Sequence, residues 1–124
     1  MNAPVPQAAS APVQPPSAAL AARHCAPCQG GAPLSDISVR NLLGQINGWD
    51  IRDGKLVKTY AFKHYYETMA FVNALALISH HQDHHPELVV NYNRCEVRYD
   101  THSVGGLTEN DFICAAKADA MLTL

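Results

Sequence analysis

The sequence has no charged residue before Arg23, no apolar run approaching the roughly 20 residues of a membrane span, and no second Cys-x-x-Cys beside Cys25-Ala26-Pro27-Cys28. Each absence excludes something. An uncharged opening rich in Ala and Pro cannot bury enough apolar surface to offset the entropy of ordering, so Met1 to about Ala22 is expected to be a disordered tail. Residues 1–30 are then a tail ending in the Cys-x-x-Cys turn, and residues 31–124 form a single domain. Without a basic start and a continuous apolar core, the N-terminus does not read as a signal peptide. With no membrane span expected either, the cytoplasm is the expected compartment. A formal net charge of -2 leaves no broad basic footprint for direct contact with nucleic acid. Closed zinc sites take four ligands, so Cys25 and Cys28 read as a turn with two free thiols, with zinc or a local redox pair as the alternatives. Cys95 and Cys114 stand singly in apolar-patterned segments, which argues against a disulfide framework.

The remaining chain alternates helix and strand signals. Ser35 is a good N-cap, Asp36 suits a first turn, and Ile37, Leu42, Leu43 and Ile46 can share one face of a helix over about 36–46. Asn47-Gly48 stops it. Trp49 to Arg52, Asp53-Gly54 and Lys55 to Phe62 read as a hairpin with a two-residue turn at positive φ, Trp49 being a core anchor. From about His64 to Ser79 there is no Gly or Pro, which predicts a long helix. Tyr66, Met69, Ala70, Asn73, Ala74 and Leu77 are assigned to its sheet-facing side, leaving Phe71, Leu75 and Ile78 to be covered by a second subunit or by a loop. Leu88 to Tyr92 and Arg94 to Thr101 read as two strands, the second alternating Cys95, Val97 and Tyr99 with Glu96, Arg98 and Asp100. Gly105-Gly106 allows a sharp turn. Thr108 with Asp111 makes a near capping box for a last helix. The order α-β-β-α-β-β-α predicts a two-layer α+β fold, a four-stranded antiparallel sheet with three helices on one face.

Four of the seven histidines, His80, His81, His84 and His85, fall within six residues, and His102 follows the second strand pair. Imidazole titrates near neutrality and also ligates metals, so proton transfer, metal binding and exposed polar loop residues are all open. Pro86 disfavours helix at His85, and no His-Glu-x-x-His arrangement places a glutamate base beside two zinc ligands.

The ordered set His84-His85-Pro86-Glu87-Leu88, Tyr92-Asn93, Thr101-His102, Gly106-Leu107-Thr108 and Asp111 resembles the signature of the pterin-4a-carbinolamine dehydratase family. Gly48-Trp49 and the Phe62 to Phe71 segment fit the same pattern, so the resemblance covers about Leu34 to Asp119. His80 departs from it, since the family often has an acidic residue there, and Leu88 stands where some members have an aromatic residue.

The resemblance implies a hydro-lyase that dehydrates 4a-hydroxytetrahydropterin to quinonoid dihydropterin, recycling the cofactor of aromatic amino acid hydroxylases, with no metal or other cofactor of its own. It implies His84, His85 and His102 as catalytic residues: His84 and His102 as acid and base, His85 chiefly binding substrate and handling protons. Asp83, Pro86, Thr101 and Ser103 would border the pterin, and Asp111 would act as a supporting carboxylate at a helix N-terminus. The partners it implies are the pterin substrate, further copies of the chain in a homodimer or homotetramer, and an aromatic amino acid hydroxylase of the same pathway. Two other classes stand beside it: a protein-binding module that stabilises dimers of a transcription factor, and a histidine-rich metal protein.

Overall fold

A computed structural model describes residues 16–27 and 31–123. Among the described residues four α-helices, α1 (Pro16–Ala21), α2 (Asp36–Leu43), α3 (Tyr65–Gln82) and α4 (Glu109–Ala120), accompany four strands, β1 (Asp50–Arg52), β2 (Lys55–Ala61), β3 (Glu87–Val90) and β4 (Arg94–Tyr99). The sheet is open and antiparallel throughout, in the order β1-β2-β4-β3. The α+β class and the antiparallel sheet follow the expectation, with α1 as an additional helix.

Local chemistry accounts for most boundaries. The Ser35 hydroxyl accepts from the Ser38 amide at 3.3 Å and starts α2. At Asp53 (φ 51°) and Gly54 (φ 74°) both turn residues take the left-handed backbone that joins a tight hairpin. Register then places Leu56 opposite Tyr99 and Tyr60 opposite Cys95, one face of the sheet, where all four are buried against the helices with Val97. The other face carries a charged lattice in which Arg98 bonds Glu96 and Glu87, Arg52 bonds Glu96, and Lys55 bonds Glu87. Trp49 is a core anchor as expected, and its indole N–H donates to Asp119 at 3.0 Å. Lys58 and the Tyr60 hydroxyl converge on the same carboxylate, joining β2 to the end of α4.

Two assignments change. The buried side of α3 is Thr68, Phe71, Leu75 and Ser79, whereas Tyr66 (82% exposed), Ala70, Asn73, Ala74 and Leu77 (60% exposed) face outward. The assignment is reversed because α3 carries apolar residues all round, and spacing alone does not rank two such stripes. Phe71 and Leu75 are therefore packed core residues and present no surface to a partner. The second change is in the Ala/Pro-rich segment, where residues 16–27 join the packed unit. Leu20 (3% exposed) enters the core against α4, and Lys117 Nζ donates to the Ala21 carbonyl at 2.7 Å. Six residues do not hold a helix alone in water, so this packing is what stabilises α1. Residues 1–15, 28–30 and 124, Cys28 among them, lie outside the described residues.

Candidate active site

The end of α3 fixes the first part of the site. Asp83 adopts a left-handed backbone (φ 50°, ψ 43°), its amide bonds the His80 carbonyl, and the His84 amide reaches back to the Ser79 carbonyl at 3.1 Å. This pair of reversed bonds is a Schellman ending, which stops the helix after Gln82 and turns His84 off the helix surface. His80 and His81 remain on the exposed last turn, so His84 does not share a helical face with His80. The position taken by Asp83 is one that glycine usually fills. Asp83→Gly is thus expected to leave folding stability unchanged or raise it by up to about 1 kcal/mol, read as a denaturant midpoint. A lowered midpoint would mean that the Asp83 side chain holds the loop.

The second part comes from the start of α4. Asp111 is wholly buried, and one carboxylate oxygen, Oδ2, accepts from the Thr108 amide at 2.9 Å to complete the capping box around the helix N-terminus. The Thr101 hydroxyl donates to the same oxygen at 2.9 Å, and the Thr101 and Thr108 hydroxyls lie 2.7 Å apart. The other oxygen, Oδ1, lies 2.5 Å from His84 Nε2. Tyr99 lies almost parallel to the His84 ring, at 8° with centroids 5.9 Å apart.

Three separated stretches therefore meet at one carboxylate: the loop after α3, the end of β4 and the start of α4. His102 follows Thr101 and opens a short 3-10 turn, His102–Val104, that Gly105 closes at φ 70°. The sharp turn expected at Gly105-Gly106 is there, with the 3-10 turn preceding it as an addition. His85 and His102 are exposed, as are Asp83 and Ser103, while Pro86 is half-buried. Thr101, expected to border a substrate, is buried with its hydroxyl held by Asp111. Two hollows lie elsewhere, one of about 420 Å³ beside Leu77, His81, Gln82 and Lys117 and one of about 460 Å³ beside Lys58 and Asp119. Neither is lined by His84, His85 or His102.

The surroundings of His84 act on its proton in two opposed ways. Burial by itself favours the neutral ring. The hydrogen bond and negative charge of Asp111, aided by Cys25 and Asp100, outweigh that effect and raise the His84 pKa above its ordinary 6.5. With Nε2 facing Asp111, Nδ1 is the ring nitrogen turned away from that carboxylate. Among the described residues no group of three His, Cys, Asp or Glu side chains is placed to hold a metal ion, and no helix is long and apolar enough to cross a membrane. Sequence reasoning passed over Tyr99, Cys25 and Gln82 as neighbours of this site, and only the alternation that buries Tyr99 gave any signal for one of them.

A protein of Nitrosomonas eutropha provisionally named pterin-4-alpha-carbinolamine dehydratase is 55% identical over 105 residues, covering 83% of this chain and 93% of its own. One of Nitrosospira multiformis with the same provisional name is 51% identical over 106 residues, covering 85% and 94%. The crystal structure of a transcriptional coactivator/pterin dehydratase from Brucella melitensis superimposes with a TM-score of 0.69 at 32% identity, over 72% of this chain and 97% of that one. A family profile described as pterin 4 alpha carbinolamine dehydratase matches residues 32–121, a span that contains the His84-Asp111 pair and every strand of the sheet. By these matches the chain belongs to the pterin 4 alpha carbinolamine dehydratase family.

Proposed function

We propose that this protein dehydrates 4a-hydroxytetrahydropterin to quinonoid dihydropterin and water, with His84 as the acid. The observation that carries the reading is the His84 imidazole, raised in pKa by a buried carboxylate 2.5 Å away. Loss of water from carbon 4a needs a proton on the departing hydroxyl, so that the C–O bond breaks as water forms. It also needs removal of the proton on ring nitrogen 5, whose electron pair closes the new C=N bond. In this reading protonated His84 supplies the first proton through Nδ1, and His102, next to Thr101 in the chain, accepts the second. Exposed His85 adds a hydrogen bond to the ring, and Asp83, Pro86 and Ser103 border it, with Thr101 acting through Asp111. The step moves protons only, and no electron acceptor enters its balance.

Protein freed of metal with a chelator and mixed with chemically generated 4a-hydroxytetrahydropterin is expected to accelerate the appearance of quinonoid dihydropterin above the uncatalysed rate. An unaltered rate would refute the reading, and activity restored only by zinc would favour the metal-protein alternative. The physiological setting proposed with it is recycling of the pterin for an aromatic amino acid hydroxylase, in the cytoplasm.

Self-association is proposed as well, as a homodimer or homotetramer. The outward side of α3, with Tyr66 and Leu77 exposed, motivates it. Leu77→Lys is expected to lower the mass measured by light scattering while leaving the circular dichroism of the chain unchanged. An unchanged mass in a self-associating wild type would place the contact elsewhere.

A further inference from the structure

A second close pair of reactive side chains lies beside the site. Cys25 Sγ and Cys114 Sγ are 3.5 Å apart although 89 residues separate them, and both are free thiols. The approach is held from several sides. The Cys25 amide donates to the Gln82 side chain at 2.8 Å, at the end of α3. On the other flank the Ala26 amide donates to Asn110 Oδ1 at 3.0 Å, and Asn110 Nδ2 donates back to the Ala26 carbonyl at 2.6 Å, at the start of α4. Arg23 pairs with Glu109 at 2.5 Å. Residues 21–26 thus run as a strap between the two helix ends that carry His84 and Asp111.

We propose that Cys25 and Cys114 are an oxidant-sensitive thiol pair that closes into an intramolecular disulfide, fastening this strap to α4 three residues beyond Asp111. Their exposures suit unequal roles, since half-buried Cys25 is open to a small oxidant and Cys114 is wholly buried behind it. The hydrogen bond with Cys114 lowers the Cys25 pKa against the opposing effect of burial, with His84 and Lys117 adding positive charge, while Cys114 is pushed up and keeps its proton. Sulfur contact at bonding length is about 2.05 Å, so the sulfurs must approach by about 1.5 Å, within reach of side-chain rotation and a small shift of the strap.

The oxidant is a hydroperoxide, for which hydrogen peroxide serves as the probe. The Cys25 thiolate attacks one peroxide oxygen and the O–O bond breaks, leaving Cys25 sulfenic acid and hydroxide, which leaves as water after taking a proton. Cys114 then gives up its proton and attacks the Cys25 sulfur, the S–O bond breaks, and a second water departs. Two thiols and one peroxide become one disulfide and two waters, with two electrons passing from sulfur to peroxide.

The full chain, treated with a small excess of hydrogen peroxide and then alkylated, is expected to lose two thiols and to yield a non-reduced peptide joining Cys25 to Cys114. Dithiothreitol should restore both thiols, and the oxidised chain should melt several degrees higher because a long loop is closed. Cys28→Ser should keep the crosslink, whereas Cys25→Ser should abolish it together with the rise in melting temperature. A Cys25–Cys28 crosslink, an unchanged thiol count, or Cys25 overoxidised with Cys114 untouched would overturn the proposal. Peptide mapping reads the bond and not turnover, so this result stands apart from the outcome of the dehydration assay.

Discussion

Replacing His84 with alanine is expected to slow dehydration of 4a-hydroxytetrahydropterin by about 10²–10⁴-fold, the usual contribution of a positioned general acid. The loss should fall mainly on kcat, because the proton is transferred as the C–O bond breaks and not when the substrate settles. His102→Ala should give a loss of similar kind, and the double variant should fall short of the product of the two, since acid and base act in one step. His85→Ala should act more on KM, as its exposed ring is assigned to binding. His80→Ala and His81→Ala serve as controls on the exposed turn of α3, and neither should change the rate appreciably. Full activity in the His84→Ala, His102→Ala double variant would remove the histidines from the mechanism.

Asp111→Ala is expected to be the most destabilising single change at the site, costing about 3–5 kcal/mol, as for one partner taken from a buried pair. The reason lies in its two oxygens. One answers the Thr108 amide and the Thr101 hydroxyl, the other answers His84, so its loss leaves donors from three elements without an acceptor in a dry environment. Asp111→Asn keeps the shape and part of the bonding, and separates charge from packing. In the wild type the folded His84 pKa lies above the unfolded value of 6.5, so the folded state binds the proton more tightly. The stabilisation is then complete below about pH 6.5 and is lost as pH rises through the folded value. In Asp111→Asn burial remains without the negative charge, the His84 pKa falls, and this contribution reverses so that stability grows with rising pH. Denaturant midpoints across pH 5 to 9 distinguish the two slopes, and parallel curves for wild type and Asp111→Asn would contradict the pairing.

Features set by a few neighbouring residues were legible in the sequence. Ser35 as a cap, Asp53-Gly54 as a turn, Thr108 with Asp111 as a box, and the alternation from Cys95 to Tyr99 each follow from chemistry within four residues or so, and the structure repeats them. Where two solutions met the same local rules, the pattern failed. The apolar circumference of α3 allowed either stripe to face the sheet, and the choice of Phe71 and Leu75 was made by the space above Tyr60 and Phe62, which Phe71 fills. The ordering of α1 depended on a docking surface on α4 about a hundred residues away. The helix stop at Asp83 was hidden because an aspartate holds a conformation that glycine would have announced.

The candidate site shows the same division. His84, His102 and Asp111 could be nominated from residue type and resemblance. The meeting of His84 with Asp111, whose carboxylate also holds the Thr101 hydroxyl and beside which the Tyr99 ring lies, is a tertiary fact with no local trace. Cys25 beside Cys114 is likewise invisible in a sequence where the nearer partner of Cys25 is Cys28.

Titration of the His84 ring by nitrogen-15 NMR, set beside the pH dependence of kcat/KM, decides whether Asp111 sets the proton affinity of the acid. A His84 midpoint above 6.5 that coincides with the alkaline fall in kcat/KM is expected, with a drop in both when Asp111 becomes asparagine. A wild-type midpoint at or below 6.5, or an alkaline limb that stays in place while the Asp111→Asn midpoint moves, would contradict that expectation.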